Sequence, residues 1–214
     1  MEIRAYDELY INSAQTILGH AVDFAVMSLG IDPDIFGNAF SVSSISKHFA
    51  QGNPVYAAGV NGCELAREVL DEVHISYPDV DDDMYLDKSP EYWSGWALAY
   101  YQWISCSSFM DILSVIPLSE IIQMYPLYHE MDIEHFVEAM AGQMKLHHPY
   151  TNLRYLRNNT GMSQSELADC SGVPLRQIQL FEQRQRDINK TEAFTLYKLS
   201  RALHCDMVDL LELS

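Results

Sequence analysis

Three groups of residues carry side chains able to do chemistry. The stretch His129-Glu130-Met131-Asp132-Ile133-Glu134-His135 mixes imidazoles with carboxylates, as a metal site does. Its histidines stand six positions apart, whereas a helical metal pair needs i, i+4 spacing to share one face, so no metal is expected. Asp79, Asp81 and Asp83 alternate like the first ligands of a calcium loop. Met84 stands where that loop needs Gly, however, and Pro90 where it needs a bidentate Glu, so Asp79 to Asp83 reads as an exposed loop. The third group, Arg176, Gln177 and Gln179, offers planar groups that form paired hydrogen bonds with planar partners.

Other reactive types are scattered. Cys63, Cys106, Cys170 and Cys205 form no CxxC pair and read as buried thiols of a reducing compartment. The sequon Asn158-Asn159-Thr160 falls at a helix end. With no glycine-rich phosphate loop and no nucleophile elbow, neither a catalytic residue nor a cofactor site is expected, and the chain does not read as an enzyme.

The elements that must position these residues all read as helices. In the first 145 residues the apolar positions of Tyr6 to Leu29 keep a 3.6 period that ends at Gly30. Ile35 to Phe49 presents a second apolar face, stopped by Gly52-Asn53-Pro54, and Asn61 to Val73 a third. Ser89-Pro90-Glu91 is a capped start for an aromatic helix reaching Ile104, apolar nearly all round and therefore central. Its aromatics fit core packing or a ligand pocket. Shorter helices fit Ser107 to Val115, Leu118 to Met124 and Asp132 to Met144, and Gln143 to Thr151 reads as the linker. The expected architecture is all-α in two domains, 1–145 and 150–214.

Charge divides along the same line. Residues 1–149 carry 22 of the 30 acids against five bases, a net −17, while residues 150–214 carry eight of each and are neutral. The second domain is thus free to present a basic face. Met1 to Tyr10 has acids where a secretion signal has bases, and no run approaches the roughly 18 apolar residues of a membrane span. A soluble cytoplasmic protein is expected.

From Asn152 onward the residues spell out a compact unit. Leu153 and Leu156 mark a first helix stopped by Gly161, and Ser163-Gln164-Ser165-Glu166 is a capping box opening a second that buries Leu167 and Ala168. Ser171-Gly172 makes the turn, because Gly tolerates a left-handed backbone. Val173-Pro174 starts the third helix, Leu175 to Gln183, with Ile178 and Phe181 inward and Arg176, Gln177 and Gln179 outward. Asn189 or Thr191 caps a fourth with Phe194, Leu196, Leu199, Ala202 and Leu203 at helical spacing, and Asp206 opens a fifth with Val208, Leu210 and Leu211.

This arrangement resembles the Xre family of phage-repressor-like helix-turn-helix regulators. The residues that carry the likeness are Gly161 to Ala168, Ser171-Gly172-Val173 and Ile178 to Glu182. The resemblance implies a sequence-specific transcriptional repressor that binds double-stranded DNA at a near-palindrome as a homodimer. It implies that the third helix enters the major groove, about 12 Å wide, with Leu175, Arg176, Gln177 and Gln179 or Leu180 at base edges. Arg176 would read guanine and Gln177 adenine. Gln164 would meet a phosphate and brace the reading residues, and Arg184, Arg186 and Lys190 would reach the backbone, although Arg184 and Arg186 also fit plain solvated charges. Arg157 aligns with an arginine that pairs internally with the glutamate matched by Glu182, a structural ion pair rather than a DNA contact. The chain departs from the family at Arg184, where Gly is usual.

Ile3 to Asp7 and Ser89 to Trp103 resemble Xre-type regulators found in bacterial operons beside small toxin-like proteins. This implies that the acidic domain binds and neutralises a toxin, a basic partner being favoured electrostatically. The alternative is a stand-alone regulator whose first domain senses a small molecule.

Overall fold

The computed structural model describes residues 4–82, 88–147 and 150–212. The chain is all-α, and it divides into two compact units at His147/His148.

In the first unit, α1 (Ile11–Asp23) buries Ile11, Ala14, Ile17, Leu18, Ala21 and Val22, the positions that a 3.6 period places on one face. It is not the single helix that Tyr6 to Leu29 predicts. A 3-10 turn, Glu8–Tyr10, precedes it, because the Asp7 carboxylate accepts from the Leu9 N–H at 2.9 Å and tightens the entry. A π-helical turn, Phe24–Ser28, follows it. The Ile31 N–H closes back on Ala25 O at 2.9 Å across Gly30, whose φ of +67° suits glycine.

The second apolar segment is likewise two helices, α2 (Pro33–Val42) and α3 (Ser44–Ala50). Ser43 separates them: extended at ψ 154°, it accepts from the Ser46 N–H at 3.1 Å and so caps α3. α4 (Gly62–Glu72) opens on an Asn61/Glu64 capping box. Beyond it, Arg67 holds the acidic loop by pairing with Asp82 and donating to Val80 O at 2.7 Å. Asp83 and Met84 lie outside the described residues.

α5 (Pro90–Ser105) starts on Ser89, which accepts from the Tyr92 N–H at 2.9 Å while its hydroxyl donates to the buried Asp23 carboxylate. That bond ties the start of α5 to the end of α1, which lies along it. Glycine sets how closely they approach. A Cβ on Gly95 would collide with Leu18 O, and one on Gly19 would lie 2.9 Å from Tyr92 O. A Cβ on Gly62, at the head of α4, would strike His20 of α1. Around this pair, α2, α3 and α6 (Phe109–Val115) contribute Phe36, Phe40, Phe49 and Phe109, with the Phe40 and Phe109 rings edge to face at 4.8 Å.

α7 (Leu118–Tyr128) runs past Met124 and through Pro126, closing with the His129 N–H on Tyr125 O at 3.0 Å. α8 (Ile133–His147) buries Phe136 and Met140 and continues through most of the segment expected as linker. Pro149 lies outside the described residues.

The second unit consists of α9 (Asn152–Asn159), α10 (Gln164–Ser171), α11 (Leu175–Glu182) and α12 (Ala193–Leu203), with two 3-10 turns, Ile188–Lys190 and Met207–Leu210. Leu153, Leu167, Val173, Ile178, Phe181, Ile188, Leu199, Leu203 and Leu210 form its core. Three local expectations are corrected. The element after Asp206 is a 3-10 turn rather than an α-helix, held by reciprocal Asp206 and Asp209 bonds. Neither Asn189 nor Thr191 caps α12: it begins after Glu192, which makes no side-chain cap bond, and the Asn189 amide bonds Glu212 instead. Phe194 is 63% exposed and stacks on Tyr197 instead of entering the core. Among the described residues no helix is long and apolar enough to cross a membrane.

Because the backbones of α1 and α5 touch where glycine leaves room, Gly95→Ala is expected to destabilise the first unit by about 1–3 kcal/mol through overpacking. A drop in the urea midpoint measures this, and an unchanged midpoint refutes it.

Candidate nucleic-acid interface

α10 begins with the capping box, in which the Ser163 N–H donates to Glu166 Oε2 at 2.7 Å and the Glu166 N–H to Ser163 Oγ at 3.1 Å. The donated bonds from Ser163 hold the Glu166 carboxyl below its ordinary pKa. At the other end of α10 the Ser171 hydroxyl donates to Leu167 O at 2.6 Å and accepts from the Val173 N–H at 3.2 Å. Gly172 then turns the chain at φ +65°, a left-handed value that costs any residue with a Cβ about 1–2 kcal/mol. Pro174 fixes the approach to α11, and Ile178, Phe181 and Glu182 go inward.

What remains outside is the face of interest. Arg176 is exposed, and among the described residues none pairs with it. Leu175, one residue before it, is 38% exposed. Gln177, Gln179 and Leu180 are only half-buried, so they form the sides of this face rather than its crest.

The inward side is held by charge. Arg157 Nε donates to Glu182 Oε1 at 2.6 Å and its Nη2 to Oε2 at 3.0 Å, while Nη1 donates to Met162 O at 2.6 Å. The two side chains are only 11% and 2% exposed. Their fork-to-fork geometry matches a guanidinium to a carboxylate and links α9 to α11. Gln164 joins them, its Nε2 donating to Glu182 Oε2 at 2.7 Å, so α10 is tied to the same carboxylate. Sequence reading expected Gln164 to meet a phosphate and to brace the reading residues; here its amide braces Glu182, leaving its carbonyl oxygen and second N–H without a partner among the described residues.

The loop after α11 carries the remaining bases. Arg184 adopts φ +55°, a left-handed backbone. Its guanidinium reaches Tyr150 O at 3.4 Å and Glu212 at 3.6 Å. Arg186 lies 5.8 Å from the Phe181 ring centroid. Lys190 contacts Asp187 at 3.0 Å while remaining 84% exposed, and that hydrogen bond pulls the Asp187 carboxyl below its usual range. Of the four bases expected to face a duplex, Arg176 and Arg186 have exposed side chains without an ion pair among the described residues, and Arg184 and Lys190 each have an acid beside them.

Sequence reading missed Glu212. Its carboxylate accepts from the Asn152 N–H at 2.6 Å, its N–H donates to Asn189 Oδ1 at 2.9 Å and its carbonyl accepts from Asn189 Nδ2 at 2.6 Å. Glu212 therefore clamps the first turn of α9 to the loop after α11. No spacing rule links residues so far apart in sequence.

The other candidates stay apart. His129 Nδ1 is 2.7 Å from Tyr125 O, His135 is exposed, and among the described residues no three His, Cys, Asp or Glu side chains are grouped to hold a metal. Of the cysteines, Cys63 is buried but Cys170 is exposed, contrary to expectation. Burial pushes the half-buried Cys106 and Cys205 thiols up, which disfavours a reactive thiolate.

No family model, no curated protein and no solved structure matches the chain.

Removing one partner of a buried pair strands the other's charge. Glu182→Ala is therefore expected to cost about 3 kcal/mol, whereas the double substitution Arg157→Met with Glu182→Leu recovers most of that. Chemical denaturation of the three proteins checks it, and equal loss in single and double variants contradicts it.

Proposed function

We propose that the chain is a sequence-specific transcriptional repressor of the Xre type, acting in the cytoplasm, whose second unit binds double-stranded DNA. The observation that carries the reading is the crossed pair α10 and α11, joined at Gly172, with Arg176 and Leu175 outward and Glu182 locked inward. A single exposed helix on a compact support is the geometry that a major groove admits. An Arg at its start presents two parallel donors to guanine N7 and O6. The left-handed backbone at Arg184 adds support, because it gives the post-helix loop the conformation expected where the resemblance has Gly. Gln177 and Gln179 flank the reading edge, and Arg184, Arg186 and Lys190 serve the phosphates. One reading helix covers few base pairs, so the protein acts as a homodimer on half-sites about one helical turn apart.

The acidic first unit, net −17 before residue 150, is disfavoured from touching DNA and is free to bind a basic protein. We read it as the toxin-binding part of an antitoxin that represses its own operon.

Arg176→Ala is expected to weaken the preferred operator by about 1–3 kcal/mol and to relax preference at one base position. Selection from a randomised duplex library, followed by titration, gives both quantities; unaltered preference would remove α11 from the groove. Lys190→Ala is expected to weaken all duplexes alike and to reduce the slope of log affinity against log salt by about one. A loss confined to the operator would instead make Lys190 a base reader.

A further inference from the structure

α5 carries a row of aromatic side chains, Trp96, Tyr100 and Trp103, at i, i+4 and i+7. The Trp96 and Tyr100 rings lie parallel within 4° at 6.5 Å between centroids, and Tyr100 is 5.8 Å from Trp103. Aromatic residues buried against a core need no ligand, but this row is not fully buried. Trp103 is covered, whereas Trp96 and Tyr100 are half-buried and open at one edge.

One end of the row is occupied by the chain itself. The Arg4 guanidinium lies 5.0 Å from the Trp103 ring centroid, in the strap whose Ala5 N–H donates to Trp103 O at 3.0 Å and whose Tyr6 O accepts from Trp103 Nε1 at 2.8 Å. A stacked guanidinium is thus already accommodated by this surface. Charge continues the theme. Glu8, Asp132 and Glu134 are exposed, and burial, opposed by Arg4 and aided by the Glu134, Asp132 and Glu8 carboxylates, holds the Tyr100 phenol above its ordinary pKa. Leu9 and Met131, next in the chain to Glu8 and Asp132, are 79% and 46% exposed and supply apolar area beside the acids.

Resting on the reading that the first unit binds a basic protein, we propose that the open Trp96–Tyr100 end of the row is its docking surface and that it takes an arginine-bearing helix. Two guanidinium groups at i, i+4 on the incoming helix stack on Trp96 and Tyr100, because the 6.5 Å between those rings is close to the separation of about 5–6 Å between the Cβ atoms from which i, i+4 side chains extend. Glu8, Asp132 and Glu134 pair with the charges from the rim. Arginine is selected over lysine, since its planar, weakly hydrated group stacks on rings and forks onto carboxylates.

The test uses the full-length protein and an alanine-based helical peptide with arginines at i, i+4, titrated by calorimetry at physiological salt beside the same peptide carrying lysines. Trp96→Leu and Tyr100→Leu are each expected to weaken the arginine peptide about tenfold, and Glu8→Gln with Glu134→Gln several-fold. The control Asp79→Asn with Asp81→Asn removes equal charge elsewhere and is expected to change affinity less than about twofold, with the lysine peptide several-fold weaker throughout. Circular dichroism and operator binding of each variant verify that the fold is intact, and the acidic-rim variant carries the test should a leucine variant fail to fold. Absence of peptide binding, equal loss in the control, or equal affinity for the two peptides overturns the proposal. Normal operator binding with any of those results sinks this surface alone, whereas localised peptide binding without operator binding sinks the repressor reading alone.

Discussion

A guanidinium removed from water must be matched, and in the second unit that requirement is met by one carboxylate. Arg157 of α9 and Gln164 of α10 both donate to Glu182 of α11, so three helices converge on a single side chain that is 2% exposed. Replacing such a pair by apolar groups is often neutral for stability, so its value is better sought in orientation. It fixes the rotation of α11 about its own axis. With Glu182, Phe181 and Ile178 drawn inward, helical geometry leaves Arg176 on the opposite side. The proposed reading face is thus the complement of the ion pair.

The first unit is ordered by sterics rather than charge. Glycines at positions 19, 62 and 95 let α1, α4 and α5 approach until backbone atoms touch, and the bond from Ser89 to Asp23 sets the register between the end of α1 and the start of α5. Packing α5 this way buries Ala97, Leu98, Ala99 and Tyr101. The same placement leaves Trp96 and Tyr100 half-buried, so an aromatic helix that reads as central is not covered all round.

The two units divide the electrostatic work. The excess negative charge lies before residue 150, and the neutral second unit directs several acids to internal duties: Glu182 to Arg157, Glu166 to a helix cap, and Asp187 to Lys190 and the Asn189 N–H. An acid occupied in a cap or buried pair adds little to the field outside. A chain of net −17 can therefore carry a second unit with no net negative charge.

Local chemistry was legible in the sequence. The Ser163 capping box, the Gly172 turn, the Ser89-Pro90 start and the periodic cores of α1 and α12 are each written within a few residues, and each depends on bonds of short range. Less visible were breaks made by single side chains, such as Ser43 dividing α2 from α3, because one serine inside an apolar stretch does not alter its period. Tertiary structure alone decided the long-range pairings. Gln164 donates to Glu182, Glu212 clamps Asn152 to Asn189, and Phe194 stays in solvent although its spacing fits a core. Periodicity says which residues share a face; what that face meets depends on the distant segments that fold against it.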